Sequence, residues 1–141
     1  MEARCLFALG AAALAGAALG GHEAQAQSVE AFYKGKTVTL AIGSDVGGGY
    51  DTYGRIIARH LGKYIPGNPT IVPKNMPGGG GLQLLNHMYN VAPKDGTTIG
   101  ASQQLAPSEP LLASDNSNAK FDPLQFQWLG SPIRFSAVAI A

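Results

Sequence analysis

The sequence is poor in cysteine, in charge and in aromatic side chains. Its 141 residues include one cysteine, 13% charged residues and 8% aromatic residues. Because the only cysteine is Cys5, residues 27–141 can form no internal disulfide and no cysteine-ligated metal site. The formal net charge is +1 at pH 7, and no two lysine or arginine residues are adjacent. We therefore expect no nucleic-acid partner, since such partners need a concentrated basic surface.

Residues 1–26 are typical of an export signal. Arg4 precedes an apolar run over 5–21, and Ala24-Gln25-Ala26 is a small-residue cleavage pattern. This predicts cleavage after Ala26, a periplasmic mature protein, and no stable membrane insertion afterwards. An uncleaved anchor is the alternative, because the run is at the short end of a membrane span. Cleavage leaves 115 of the 141 residues, which is long enough for one domain. These residues keep 9 of the 10 basic and 7 of the 9 acidic side chains.

Little in the sequence indicates catalysis or a cofactor. His60 and His87 are isolated on predicted helices, with no partner at metal-ligand spacing. Ser44, Asp45 and Asp51 share one loop, but acids in loops are usually caps and turn formers. We expect a protein that is not an enzyme, with no catalytic residue, no metal and no cofactor.

The chain from 37 to 66 has the pattern of a strand, a loop and a helix. Alternating β-branched and apolar residues predict a strand over 37–42, and a glycine-rich loop follows over 43–49. Asp51 is expected at the N-cap or in the first turn of the next helix. That helix has an apolar stripe at three- and four-residue spacing, and its basic residues lie off the stripe. The stripe comprises Tyr53, Ile56, Ile57, Leu61 and Tyr64, and the basic residues are Arg55, Arg59 and Lys63.

The same unit repeats after residue 69. A short strand over 70–72, limited by Pro73, precedes a second glycine-rich loop over 77–81 and a helix that begins at Leu82. The remaining predicted elements are a turn at 93–96, a strand at 97–102, a short helix at 107–113, a polar loop at 114–120, and strands at 127–130 and 135–141. Alternating strands and helices predict the α/β class, with a parallel or mixed sheet and helices on both faces.

Both glycine-rich loops are predicted at the carboxyl edge of the sheet, where ligands of open α/β sheets bind. Each loop precedes a helix N-terminus, whose free N–H groups and dipole favour an anion. The candidate ligand-binding residues are Gly47, Gly48, Gly49, Asp51, Gly79, Gly80, Gly81, Ser102 and Gln103. The glycines would offer backbone N–H groups to a carboxylate, Asp51 would cap the helix or meet a polar ligand group, and Ser102 and Gln103 would add side-chain hydrogen bonds. Alternatively, the glycines only form tight turns.

Nucleotide binding is a competing hypothesis for the first loop. Gly47-Gly48-Gly49-Tyr50-Asp51-Thr52 begins as a dinucleotide-binding motif but has threonine in place of the third glycine. A small exported enzyme that uses a nucleotide or a phosphate is therefore the alternative function.

The ordered set of motifs resembles the substrate-binding receptors of tripartite tricarboxylate transporters, the Bug family. The motifs are Phe32 to Thr37, Gly47 to Asp51, Val72 to Gly81, Ala92 to Gly100 and Phe121 to Leu124. The resemblance implies a two-lobed receptor that closes over a small carboxylate and delivers it to a membrane permease. Residues 43–46 depart from the usual pattern of this family, which has a more apolar, proline-containing stretch at that place. We expect 27–141 to be part of the first lobe with the second lobe absent, and a non-functional truncated product is a further alternative.

Overall fold

The computed structural model describes residues 27–112 and 118–132. Within these residues, three strands and four α-helices follow each other. They are α1 (Val29–Tyr33), β1 (Thr37–Ile42), α2 (Gly49–Leu61), β2 (Thr70–Asn75), α3 (Leu82–Asn90), β3 (Thr98–Ala101) and α4 (Glu109–Leu112). Short 3₁₀ turns lie at Gly62–Tyr64, Gly79–Gly81, Ala106–Ser108 and Pro123–Gln125. The predicted export signal lies outside the described residues.

The three strands form a parallel sheet in the order β2-β1-β3. The central strand β1 is buried on both faces: Val38, Leu40, Ala41 and Ile42 are all at most 3% exposed. Helices on the two faces account for this. The side chain of Ile42 meets Gly54 of α2, whereas a Cβ atom on the next residue, Gly43, would meet Leu84 of α3. The protein therefore has the predicted α/β fold, with a parallel sheet and helices on both faces.

The helix connections place a topological switch point between β1 and β3. Helix α2 joins β1 to β2 on one face of the sheet, and α3 joins β2 to β3 across β1 on the other. The loops that follow β1 and β3 therefore leave the sheet side by side. Open α/β sheets bind ligands at such a point, outside the carboxyl ends of the strands.

Strand β2 is longer than predicted, because Pro73 does not end it. Pro73 lies opposite Leu40 in the register, and the strand continues to Asn75. The amide of Thr70 donates to the carbonyl of Lys36, just before β1, and that of Met76 donates to the carbonyl of Ile42. With a two-residue period, the nitrogen of Pro73 faces away from β1. Its missing N–H therefore breaks no bond in the sheet, as is usual for proline in an edge strand.

The face of α2 that packs on the sheet covers only part of the apolar stripe. The buried residues of α2 are Asp51 and Gly54, while Tyr53 and Ile56 are each 46% exposed. A Cβ atom on Gly54 would lie 2.7 Å from Cδ1 of Ile42. The helix thus approaches the sheet through a small residue, and large apolar side chains of the stripe remain on its outer side.

A second cluster of apolar side chains lies around α3. Leu85, Ala106 and Phe121 are buried together, with Leu82, Tyr89, Ala119 and Phe126 packed around them. Asn86 and Asn90 fasten the segment at 118–120 through hydrogen bonds to its backbone. This segment therefore packs along α3 although it has no regular structure of its own.

The strand predicted at 127–130 is wrong, since these residues form no strand. The indole N–H of Trp128 instead donates to the carbonyl of Pro123 at 2.9 Å, which turns the chain back on itself. The short helix predicted at 107–113 is present as the turn at Ala106–Ser108 and α4. The strand predicted at 135–141 lies outside the described residues.

Candidate functional site

The loops that follow the three strands are tied together at the carboxyl edge of the sheet. Gln103, just past β3, donates from Nε2 to the carbonyl of Gly43 at 2.9 Å. Its Cβ and Cγ atoms would lie 3.4 Å from a Cβ atom on Gly81. The amide of Gln104 donates to the hydroxyl of Tyr50 at 3.3 Å. Gln103 therefore bonds the loop after β1 and lies beside the loop after β2.

A buried polar cluster fixes the loop after β1, residues 43–48, which we call loop one. Asp51 is 2% exposed and accepts hydrogen bonds at both carboxylate oxygens. Arg55 Nε lies 2.9 Å from each oxygen, and Asn75 Nδ2 lies 2.8 Å from Oδ1. The amide of Gly47 donates to Oδ2 at 2.8 Å. Asn75 also donates to the carbonyl of Ser44 and accepts from Arg55 Nη2, so the cluster ties loop one to α2 and to the end of β2.

The hydrogen bonds of this cluster stabilise the charged form of Asp51. The side-chain bond from Arg55, the backbone bond from Gly47 and the side-chain bond from Asn75 lower the pKa of Asp51 to about 2. Asp51 therefore stays ionised at every physiological pH and holds the charge of Arg55 in an ion pair. Asp51 lies in the first turn of α2, as predicted, but its carboxylate accepts a hydrogen bond from the amide of Gly47 in loop one and does not cap the helix.

The first turn of α2 has no capping side chain. Gly48 is the N-cap residue, with φ −78° and ψ 171°, and the amide of Gly47 is the one taken by Asp51. No hydrogen bond within the described part of the chain engages the amides of Gly48, Gly49 or Tyr50. These amides lie at the positive end of a 13-residue helix, and Gly47, Gly48 and Gly49 are all exposed.

Elements away from this edge have the caps that α2 lacks. At α1, Ser28 accepts a hydrogen bond from the amide of Ala31. At the turn Pro123–Gln125, Asp122 accepts from the amide of Leu124. A serine, aspartate or asparagine N-cap satisfies one of the free amides of a helix start, whereas glycine leaves them open.

The loop after β2, residues 76–81, which we call loop two, has a different construction. Gly78, Gly79, Gly80 and Gly81 all have positive φ, between +54° and +136°. The amides of Gly81 and Gln83 donate to the carbonyl of Gly78, and that of Leu82 donates to the carbonyl of Gly79. The first amides of α3 are therefore already hydrogen-bonded to backbone carbonyls of loop two. Gly79 and Gly80 are exposed, and no hydrogen bond within the described residues engages their amides.

The predicted side-chain donors have separate positions at this edge. Gln103 uses one N–H of its Nε2 on Gly43, which leaves the second Nε2 hydrogen for a ligand. Ser102 is half-buried, and its hydroxyl makes no hydrogen bond within the described residues. Two large apolar side chains border the same edge, since Val46 in loop one and Leu105 after β3 are each 73% exposed.

Arg55 and Asn75 were not among the predicted site residues. The i,i+4 spacing of Asp51 and Arg55 is a signal for a helical ion pair that sequence inspection could have found. Asn75 carries no such signal, because its contacts with Asp51 and Ser44 arise only when β2 pairs with β1. The structure therefore shows that Arg55 and Asn75 hold Asp51, and through it loop one, in place.

Other kinds of site have little support in the described residues. No group of three or more His, Cys, Asp or Glu side chains there is placed to hold a metal ion. Neither His60 nor His87 hydrogen-bonds a hydroxyl or a carboxylate in that part of the chain. Among the described helices, none is both long and apolar enough for a transmembrane segment.

Comparison with known proteins adds no family to this description: the chain matches no family model, no curated protein and no protein of solved structure.

Proposed function

We propose that this chain is the carboxylate-binding part of a periplasmic solute receptor of the tripartite tricarboxylate transporter type. The observation that carries the proposal is the uncapped N-terminus of α2. The amides of Gly48, Gly49 and Tyr50 are open there, at the switch point between β1 and β3.

The charges around these amides favour a small anion that is bound by backbone groups. Asp51 neutralises Arg55, so the nearest guanidinium is held in an internal ion pair. Lys74, at the end of β2, is exposed. A carboxylate at the start of α2 would therefore be stabilised mainly by N–H groups and the helix dipole, with the amides of Gly79 and Gly80 as further donors.

The order of the motifs supports the assignment to this receptor family, as does the expected export signal over 1–26. In such a receptor, 27–141 would form part of the first lobe. A second lobe would close over the solute, and a membrane permease would receive it. The protein would then act by binding and release without catalysis.

A titration of the chain with acetate, succinate and citrate, followed by amide NMR, tests the proposal. We expect saturable shifts at Gly48, Gly49 and Tyr50 at millimolar concentrations, since one lobe alone buries little of the ligand. Gly48→Asn and Gly48→Asp provide matched variants. Both side chains would cap the open amides and so weaken binding, and Gly48→Asp should weaken it more because it adds a negative charge.

Titrations with inorganic phosphate and with AMP separate this proposal from the alternative enzyme. Saturable shifts with AMP and none with the carboxylates would favour the nucleotide-using protein. The absence of shifts at loop one with any carboxylate would contradict the receptor proposal, and so would shifts that Gly48→Asp leaves unchanged.

A further inference from the structure

The outer side of α2 combines exposed apolar residues with uncompensated positive charge. We define the outer face of α2 as Tyr53, Ile56, Arg59, Lys63 and Tyr64, which share one side of the helix and its 3₁₀ extension. Tyr53 and Ile56 are each 46% exposed, and Tyr64 is 77% exposed. These three residues belong to the apolar stripe of α2 and its 3₁₀ extension.

The outer face of α2 bears basic residues and no exposed acid. Asp51 is the only acidic residue between positions 49 and 64, and it is buried against Arg55. Within the described residues, neither Arg59 nor Lys63 makes an ion pair with a carboxylate, although Lys63 Nζ lies 5.3 Å from the centre of the Tyr64 ring. A partner with acidic side chains would complement this charge.

A shallow depression adjoins the basic residues. It has a volume of about 170 Å³ and lies between α2 and β2, where Arg55, Ala58, Arg59, Ile71 and Pro73 line it. Since the ring of Pro73 interrupts the row of N–H groups at the outer edge of β2, an added strand would pair poorly there. A partner would therefore contact the helix and place a side chain in the depression.

We propose that the outer face of α2 docks a protein partner that presents acidic side chains next to an apolar one. Tyrosine and arginine are among the residue types enriched at the centres of protein interfaces. Helices that bind membranes rely instead on Trp, Phe and Leu with many basic residues. Two copies of this chain docked through the same face would bring like charges together. The proposal does not depend on what loop one binds.

Photo-crosslinking in the native cells tests this proposal with the full chain. Benzoylphenylalanine would replace Ile56, and in a control it would replace Val91, which is 69% exposed at the end of α3. We expect an adduct to one protein only from position 56, and mass spectrometry should map it to an acidic segment of that protein. The pair Arg59→Glu and Lys63→Glu should reduce its yield about tenfold, since two rim ion pairs would become repulsive.

The charge-conserving pair Arg59→Lys and Lys63→Arg is the matched control and should keep the adduct. Circular dichroism of both double variants checks that they fold. Four results would overturn the proposal: no adduct specific to position 56, an adduct to lipid, an adduct within this chain or to a second copy, or a protein adduct that charge reversal leaves unchanged.

Discussion

Loop one and loop two occupy equivalent places after neighbouring strands, yet different groups hold them in shape. Side chains hold loop one: Asp51 accepts a hydrogen bond from the amide of Gly47, and Asn75 donates one to the carbonyl of Ser44. Loop two is held by its own backbone. Its four glycines have positive φ, and backbone amides donate hydrogen bonds to the carbonyls of Gly78 and Gly79. An amide that shapes a loop is not available to a ligand. Only loop one therefore leaves the start of its helix open.

The largest effect is expected from a side chain added to loop two. Gly81→Val would place a β-branched residue at φ +98°, with its Cβ atom 3.3 Å from that of Ala106. Backbone strain and overpacking together should lower the free energy of unfolding by about 4 kcal/mol. Urea denaturation measures this loss. The control is Gly80→Val, which has φ +64° and no atom within 4 Å of its Cβ, and should lose only about 2 kcal/mol.

A smaller effect is expected from removing the charge that holds loop one. The pKa of Asp51 is about 2 in the folded protein and near 3.8 in the unfolded chain, so its contribution to stability is present above pH 3.8 and is lost as the pH falls towards 2. Asp51→Asn should therefore lower stability at pH 7 and flatten the stability profile between pH 4 and pH 2. Thermal unfolding across that range measures both effects. An unchanged acid profile would contradict the role assigned to the cluster.

Asp95 is a control for that profile at the opposite end of the sheet. The side-chain and backbone hydrogen bonds of Thr97 lower the pKa of Asp95 as well. Asp95→Asn should remove its own part of the acid dependence but leave the amide of Gly47 protected from hydrogen exchange. Asp51→Asn should expose that amide.

Removing the hydrogen bond from Gln103 to Gly43 should have a modest effect on stability. Gln103→Ala removes the hydrogen bond to Gly43 and should cost about 1 kcal/mol. Gln104→Ala is the matched control, because its side chain is exposed and makes no hydrogen bond within the described residues. Urea denaturation of the two variants should separate them. Equal stability would show that the bond to Gly43 does not hold the loops together.

The smallest effect sharpens the comparison most directly. Gly48→Asn should raise stability by about 0.3 kcal/mol, since it supplies the N-cap that α2 lacks at a residue whose φ is already suitable. Gly81→Asn, at the N-cap of α3, should lower stability because the amides there are already bonded and φ is +98°. Gains in both variants, measured by thermal unfolding, would contradict the distinction between the loops.

Much of the fold could be predicted because it depends on local pattern. The alternation at 37–42 predicted β1 with its observed bounds, and the glycine-rich loops predicted where α2 and α3 begin. The errors have tertiary causes. Strand β2 passes Pro73 because it lies at the edge of the sheet, and residues 127–130 form no strand because Trp128 bonds back to Pro123.

The sequence by itself determined the alternation of strands and helices from β1 to β3 and the two glycine-rich loops, because backbone preference and residue periodicity are properties of short segments. Only the tertiary structure decided what holds loop one in shape. Asn75, 24 residues from Asp51, meets that carboxylate only when β2 pairs with β1. It also decided which side of α2 faces outward, because Gly54 permits a close approach to Ile42 that the larger side chains of the helix would prevent.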